Sequence, residues 1–231
     1  VLLELVPWLD RGQAKATLAK LAGRQVDGII WAVPEIQDNR DWLDHANFDR
    51  LPPIVFMSMA ARPGIHVVAA GNREGARLAT QHLIGQGRTR IGHISGPPDW
   101  WEAQERRLGW QEALAEAGLP CESSQVYAGD WYAASGEAGL NELLARHPDL
   151  DAIFAGNDQM ALGVLRAAHL AGRRAPGDLA VAGFDNLHES AYFWPPLTTV
   201  NQNLRAAGGE AVRALNELID ARLAGETAPA L

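Results

Sequence analysis

A regular alternation of short apolar runs and longer amphipathic segments restricts the fold of this chain more than any other feature. From residue 72 onward it predicts helix 72–84, strand 90–95, helix 102–117, strand 125–128, helix 133–146, strand 152–155, helix 158–170 and strand 179–183. Before residue 72 the predicted strands are 1–6, 26–33, 53–57 and 66–69, the predicted helices are 13–21 and 41–48, and a last helix is predicted at 204–223. Such alternation is typical of parallel sheets covered by helices on both faces, so we predict an α/β fold.

The composition excludes several classes of protein. Of the 231 residues, 47% are hydrophobic and 21% are charged, as in an ordinary folded domain. The net charge is -8 and the longest basic runs are arginine pairs, so this segment lacks the cation cluster that a DNA-binding surface needs. Cys121 is the single cysteine, which excludes a disulfide framework and a cysteine-based metal site. The single cysteine also favours a cytoplasmic protein, and because no apolar run is long enough to span a bilayer we expect no membrane partner.

Polar and aromatic residues follow four of the predicted strands at their carboxyl ends. Trp131, Asn157 and Asp185 each lie two or three positions after the end of a predicted strand, and Arg106 lies in the second turn of a helix that follows one. In open parallel sheets, ligands bind beyond the carboxyl ends of the strands. A guanidinium, a carboxylate, an amide and an indole suit a neutral ligand with many hydroxyl groups, and we therefore predict a sugar site.

Each of these four residues also has a structural explanation. Asn157 could cap the helix that it precedes, and Asp185 could satisfy backbone groups of its own turn. Arg106 could form an ion pair on the helix surface, and Trp131 could belong to the core. A shared site is favoured because all four lie at one end of the predicted sheet.

No pattern in the sequence predicts catalysis or metal binding. The P-loop, the nucleophile elbow and the dinucleotide-binding loop are absent, and the seven histidines lack the spacing of metal ligands. We therefore predict a binding protein that is not an enzyme and that uses no cofactor or metal ion.

Eight motifs together resemble the lactose-repressor (LacI/GalR) family, and in particular its lactose-repressor branch. They occur in order over nearly the whole chain: VDGII (26–30), GARLATQHLIGQG (75–87), RIGHISG (90–96), RRLGW (106–110), DWYAASG (130–136), NDQMALG (157–163), VAGFDN (181–186) and PPLTTVNQ (195–202). The resemblance implies two similar lobes of the periplasmic binding protein-like type, each a parallel sheet flanked by helices, joined by a hinge. The N-terminal lobe would comprise 1–70 and 203–224, and the C-terminal lobe 71–202.

The resemblance also implies roles for single residues around a sugar in the cleft between the lobes. Arg106, Asn157 and Asp185 would bind hydroxyl groups of the sugar. Trp131 would stack on the sugar ring, and Gln202 would lie at the hinge beside the ligand.

The N-terminal lobe departs from the pattern of the lactose-repressor branch. Ser58 replaces an aspartate that helps to fix the sugar, and Trp31 replaces a polar residue at the end of VDGII. Gly71 and Leu204 also differ from the residues expected there. Ser58 and Trp31 are therefore candidate ligand contacts, although Trp31 could equally fill the lobe.

The partners that the resemblance implies are a sugar or glycoside effector, a second copy of the chain and operator DNA. The sugar would change the orientation of the lobes and thereby the affinity for the operator. A helix-turn-helix domain outside these 231 residues would bind the DNA, and the first strand–helix unit of the N-terminal lobe would be missing too. We expect the dimer surface to include Met160, Tyr192, Phe193 and Trp194, with core packing as the alternative.

A periplasmic sugar-binding protein of a transporter shares the fold and is the alternative function.

Overall fold

The computed structural model describes residues 2–5 and 11–226, which form two compact units. Unit 1 consists of the described residues up to Ala70 and from Asn203 on, and unit 2 is Gly71–Gln202. Each unit has its own sheet, and every strand pairing in both sheets is parallel. The predicted α/β class with parallel sheets is confirmed. No helix in the described ranges is both long and apolar enough to cross a membrane.

Unit 1 contains a three-stranded sheet with a helix on each face. Its elements are α1 (Arg11–Gly23), β1 (Ile29–Trp31), β2 (Ile54–Met57), β3 (His66–Val68) and the last helix of the chain, α6 (Leu204–Ala224). The strand order is β1-β2-β3. Leu18 of α1 packs with Phe56 on one face of the sheet, whereas Leu218 of α6 packs with Val55 on the other. Neighbouring residues of β2 therefore face opposite sides, as the pleat of a strand requires.

Two predictions in unit 1 are wrong. The predicted strand 1–6 is absent over residues 2–5, where Leu3 and Leu5 are 79% and 82% exposed, and positions 1 and 6 lie outside the described residues. The predicted helix 41–48 is replaced by two short 3₁₀ helices, Asp41–His45 and Phe48–Arg50. Ala46 between them has extended backbone, with φ -80° and ψ 133°, which ends the first helix.

Unit 2 repeats the strand–helix alternation on a larger scale. Its elements are α2 (Asn72–Gly85), β4 (Ile91–Ser95), α3 (Trp101–Glu116), β5 (Val126–Ala128), α4 (Ala133–Arg146), β6 (Ala152–Ala155), α5 (Asp158–Leu170), β7 (Ala180–Phe184) and β8 (Thr198–Val200). The strand order is β5-β4-β6-β7-β8. The short edge strand β8 was not predicted, because only three residues pair there after the Pro195–Pro196 turn.

Helices cover both faces of the larger sheet. Ile153 packs with the cluster that includes Leu140 and Val164 of α4 and α5. Its neighbour Phe154 packs with the cluster that includes Leu83 and Trp110 of α2 and α3. Because all strands run in one direction, the loops that follow their carboxyl ends lie along a single edge of the sheet.

Glycines bring the helix pairs of unit 2 into close contact. A Cβ added at Gly163 of α5 would lie 1.9 Å from the carbonyl oxygen of Ala133, and one at Gly109 of α3 would lie 2.0 Å from that of Arg73. Both distances are far below a van der Waals contact, so neither position accepts a side chain unless the helices separate.

Candidate functional site

Arg106 is held by three partners at the carboxyl-end edge of the larger sheet. The residue lies on α3 and is 6% exposed. Its Nε donates to Asn72 Oδ1 at 2.8 Å, and Nη1 donates to the carbonyl oxygen of Gly156 at 2.6 Å and to Asp185 Oδ1 at 3.4 Å. Within the described ranges, Nη2 has no hydrogen-bond partner, so the guanidinium is fixed in place with one donor nitrogen still available.

Asp185 and Gln202 complete a hydrogen-bonded cluster with Arg106, called here the Arg106–Asp185–Gln202 cluster. Gln202 Nε2 donates to Asp185 Oδ1, the oxygen that also accepts from Arg106. Burial raises the pKa of Asp185, and the Arg106 charge and the Gln202 hydrogen bond oppose this shift. Burial lowers the pKa of Arg106, and the Asp185 charge opposes that shift. Both side-chain hydrogen bonds of Asp185 among the residues that the structure describes are accepted by Oδ1, which leaves Oδ2 available close to the guanidinium.

Trp131 lies beside this cluster and is held from two sides. The guanidinium carbon of Arg106 is 5.5 Å from the centre of the Trp131 ring. The ring also packs directly on Gly96, where an added Cβ would lie 2.1 Å from the indole. The carbonyl oxygen of Trp131 accepts a hydrogen bond from Asn157 Nδ2 at 3.0 Å. The half-buried indole is therefore fixed next to the polar groups of the Arg106–Asp185–Gln202 cluster.

Two consecutive residues at the start of α5 connect distant loops. Asn157 caps the helix, since its Oδ1 accepts from the backbone N–H of Met160 at 2.8 Å. Asp158 is fully buried and accepts from Leu187 N at 2.8 Å, from Ser190 Oγ at 2.6 Å and from Thr199 Oγ1 at 2.5 Å. The capping role considered for Asn157 is thus present, while its contact with a ligand stays a prediction.

Three of the predicted ligand residues have an unusual backbone conformation. The φ angles of Ser58, Trp131 and Asp185 are 56°, 74° and 118°, in a region that non-glycine residues rarely adopt. Such strained residues cluster at functional sites, where the surrounding structure holds a conformation that the residue alone disfavours. Gln25, Gln37, Asn186 and Asn203 also have a positive φ, so the backbone conformation alone does not identify a ligand site.

Sequence reasoning missed two residues that position Arg106. Asn72, at the start of α2, is 4% exposed and accepts from the guanidinium. Phe184, the last residue of β7, has its ring centre 3.9 Å from the guanidinium carbon. The sequence signal for Phe184 was its place directly before Asp185, at the end of a predicted strand.

Trp31 and Ser58 belong to unit 1. Trp31 is 3% exposed and packs 5.9 Å from Trp42 and 6.4 Å from Phe56 between ring centres. This placement favours the second role considered for Trp31, which is to fill the lobe. Ser58 follows β2 in a turn where its carbonyl oxygen accepts from Glu35 N at 3.0 Å.

The four residues predicted for a dimer surface differ sharply in exposure. Met160 is fully buried in the core of unit 2, so its inclusion in a subunit surface was wrong: a sulfur packed against Gly129 cannot contact a partner. Phe193 is half-buried and packs against the same core. Tyr192 and Trp194 are 78% and 94% exposed, which is exceptional for aromatic side chains.

Comparisons with known proteins agree with this architecture. Residues 80–230 match the model of the periplasmic binding protein-like domain. The transcriptional regulator CelR of Thermobifida fusca is 38% identical over 214 residues, which is 90% of this chain and 60% of CelR. This chain spans less than two thirds of the length of the curated relatives it matches.

Two solved structures extend the comparison. A transcriptional regulator CelR–cellobiose complex has a TM-score of 0.80 at 34% identity, covering 95% of this chain and 66% of that chain. A dimeric Lac repressor with a C-terminal deletion has a TM-score of 0.83 at 28% identity, covering 93% of this chain and 78% of that chain. The chain therefore belongs to the periplasmic binding protein-like family, together with the LacI/GalR-type effector-binding domains that its motifs resemble.

Proposed function

We propose that this domain is the sugar-sensing part of a transcriptional repressor. The observation that carries the proposal is the Arg106–Asp185–Gln202 cluster beside Trp131. The cluster leaves a guanidinium nitrogen and a carboxylate oxygen available next to an aromatic ring. Adjacent hydroxyl groups of a sugar both donate and accept hydrogen bonds, while the C–H face of the ring packs on an indole.

The repressor role is favoured over a periplasmic transport role by the relatives of the chain. CelR of Thermobifida fusca is named as a transcriptional regulator, and a solved structure of a transcriptional regulator named CelR is a complex with cellobiose. We assign operator binding to a helix-turn-helix domain outside the present sequence, of the kind for which these relatives are named. A cytoplasmic location and a non-catalytic role follow from that assignment, because a repressor acts on DNA by binding.

A thermal-shift screen tests the sugar proposal directly. The domain is heated with a panel of mono- and disaccharides, including ribose, glucose, galactose, cellobiose and maltose, and hits are measured by titration calorimetry. A ligand that binds only the folded state raises the melting temperature with its concentration. At least one sugar should do so, and the absence of a shift across the panel contradicts the proposal.

Asp185→Asn should weaken binding of the best sugar by tenfold or more. The amide keeps the shape of the side chain but removes the charge, and hydrogen bonds to charged groups contribute about 1.5–3 kcal/mol each. Because burial disfavours the Asp185 charge, the variant should fold. The matched control is Asp178→Asn, which removes an exposed carboxylate paired with Arg174 at 2.9 Å. Equal sugar affinity in both variants would place the ligand elsewhere.

We also propose that the domain forms a homodimer through two exposed aromatic residues, Tyr192 at the end of the 3₁₀ helix His188–Tyr192 and Trp194 just after it. Tyr192 and Trp194 protrude from unit 2, and Leu162 on α5 is 42% exposed. Aromatic residues are enriched in the cores of subunit interfaces, where their burial contributes much of the binding energy. The Lac repressor neighbour is described as dimeric.

Trp194→Asp should convert the dimer to a monomer. The indole is 94% exposed, so the substitution removes no core packing and the melting behaviour of the isolated subunit should be preserved. Light scattering during size-exclusion chromatography measures the mass. Leu78→Asp, at a 52% exposed position of α2, is the control and should stay dimeric. A dimeric Trp194→Asp variant would exclude this surface.

A further inference from the structure

Two tryptophans that are 31 positions apart in the sequence meet beside the proposed sugar site. The ring centres of Trp100 and Trp131 are 5.8 Å apart and their planes are inclined at 73°, an edge-to-face contact. Trp100 belongs to the loop after β4, and Trp131 to the loop after β5. Both indoles are half-buried, so each retains exposed surface.

Both sides of this aromatic corner are fixed by local contacts. In the loop that contains Pro97 and Pro98, Trp100 N donates to the carbonyl oxygen of Pro97 at 3.1 Å, and Gln104 Nε2 donates to that of Pro98 at 2.8 Å. Proline also restricts the loop backbone. Trp131 is held by Asn157 and Gly96, as described above. A surface fixed before binding loses little conformational freedom when a ligand arrives, which favours affinity.

Trp131 connects the Arg106–Asp185–Gln202 cluster with Trp100. Its ring contacts both the Arg106 guanidinium and the Trp100 ring. A ligand ring bound by the Arg106–Asp185–Gln202 cluster would therefore lie near Trp131, and a second ring attached to it could reach Trp100. The cluster supplies hydrogen bonds for the first ring, whereas Trp100 offers an apolar surface to the second.

We propose that Trp100 makes the domain selective for two-ring sugars, that is, for disaccharides or glycosides with a ring-shaped second group. The inference rests on the proposed sugar-sensing function and adds a specificity-determining residue to it. The first ring determines whether a sugar binds at all. Stacking of the second ring on Trp100 determines the preference of the site for a disaccharide over its component monosaccharide.

Titration calorimetry with glucose, cellobiose and maltose, extended to the best disaccharide of the thermal-shift screen and its monosaccharide, tests this inference. Trp100→Ala should weaken the disaccharide by roughly three- to tenfold and leave the monosaccharide unchanged, as expected for loss of one ring-stacking contact. Trp100→Phe should restore most of the preference. Trp101→Ala is the matched control, since no ring contact links Trp101 to Trp131 in the described part of the chain.

The possible outcomes separate this inference from the function on which it rests. Equal losses for mono- and disaccharide in Trp100→Ala, or no loss for either, overturn the role of Trp100 while leaving sugar sensing intact. Preference of the unaltered domain for the monosaccharide also overturns it. If no sugar binds the unaltered domain, the proposed function fails and this inference fails with it.

Discussion

Gly163→Ala is expected to lower the free energy of unfolding by about 3 kcal/mol or more, the upper end of the range for overpacked cores. The added Cβ would lie 1.9 Å from the carbonyl oxygen of Ala133, and the nearest atoms are backbone, which cannot rotate away. Helices α4 and α5 would have to separate, and the core between them would lose contacts. The same two helices are equally close at a second point, since a Cβ added at Gly136 of α4 would lie 2.0 Å from the carbonyl oxygen of Met160 of α5.

The matched control is Gly208→Ala in α6. No heavy atom lies within 4 Å of a Cβ added there, so the alanine gains helix propensity and stabilises the protein by about 1 kcal/mol. Urea unfolding followed by circular dichroism gives both free energies. Opposite signs for one chemical change are the expected result. Similar changes in the free energy of unfolding for Gly163→Ala and Gly208→Ala would show that the close contact of α4 and α5 does not exclude a side chain at Gly163.

Acidification is expected to destabilise unit 2 through His93. This residue is fully buried in β4, with its ring centre 5.0 Å from that of Phe154 and 5.6 Å from that of Trp110. The pKa of His93 is lowered to about 4, chiefly by burial; the hydrogen bond to the Phe154 carbonyl opposes this shift, and the nearby charges of Arg107 and Arg106 contribute to it. The imidazole is therefore neutral in the folded protein at neutral pH.

The sign of the effect follows from proton binding. Below pH 6.5 the unfolded chain takes up a proton on this histidine, whereas the folded protein does so only near pH 4, so stability falls as the pH falls between these values. The full loss is roughly 3 kcal/mol, of which about 2 kcal/mol occurs between pH 7 and pH 4.5.

His93→Phe tests this expectation. Phenylalanine keeps the stacked geometry and cannot bind a proton, so urea unfolding of the variant at pH 7 and pH 4.5 should show about 2 kcal/mol less acid destabilisation than the unaltered domain. Parallel pH profiles for the two proteins would contradict the assignment. The variant also loses the 2.9 Å contact between His93 Nδ1 and the Phe154 carbonyl, which lowers its stability at both pH values alike.

The sequence predicted the elements of unit 2 well because their signals are local. Apolar runs of four or five residues between amphipathic helices leave few alternatives to a buried parallel strand. The meeting of Arg106 and Asp185 was predictable for a related reason, since parallel strands deliver the residues after them to one edge. Strand β8 was not predicted because three residues are too few to show a periodic pattern of apolar side chains.

Burial of single side chains could not be predicted in the same way. Trp31 and Met160 were placed by motif position, yet both side chains are enclosed by residues from other elements. Apolar residues at strand ends and helix starts look the same in sequence whether a neighbouring element covers them or not. One partner of Arg106 is likewise the backbone carbonyl of Gly156. Every residue has such a carbonyl, so the residue type gives no sign of this contact.

Two adjacent residues at the start of α5, Asn157 and Asp158, connect the proposed sugar site with the proposed subunit surface. Asn157 supports the backbone of Trp131, and Asp158 ties down the loop that ends in Tyr192 and Trp194. A sugar that contacts Trp131 and a second subunit that contacts this loop would therefore both act on the start of α5. By thermodynamic reciprocity, any gain in subunit affinity caused by the sugar equals the gain in sugar affinity caused by subunit association.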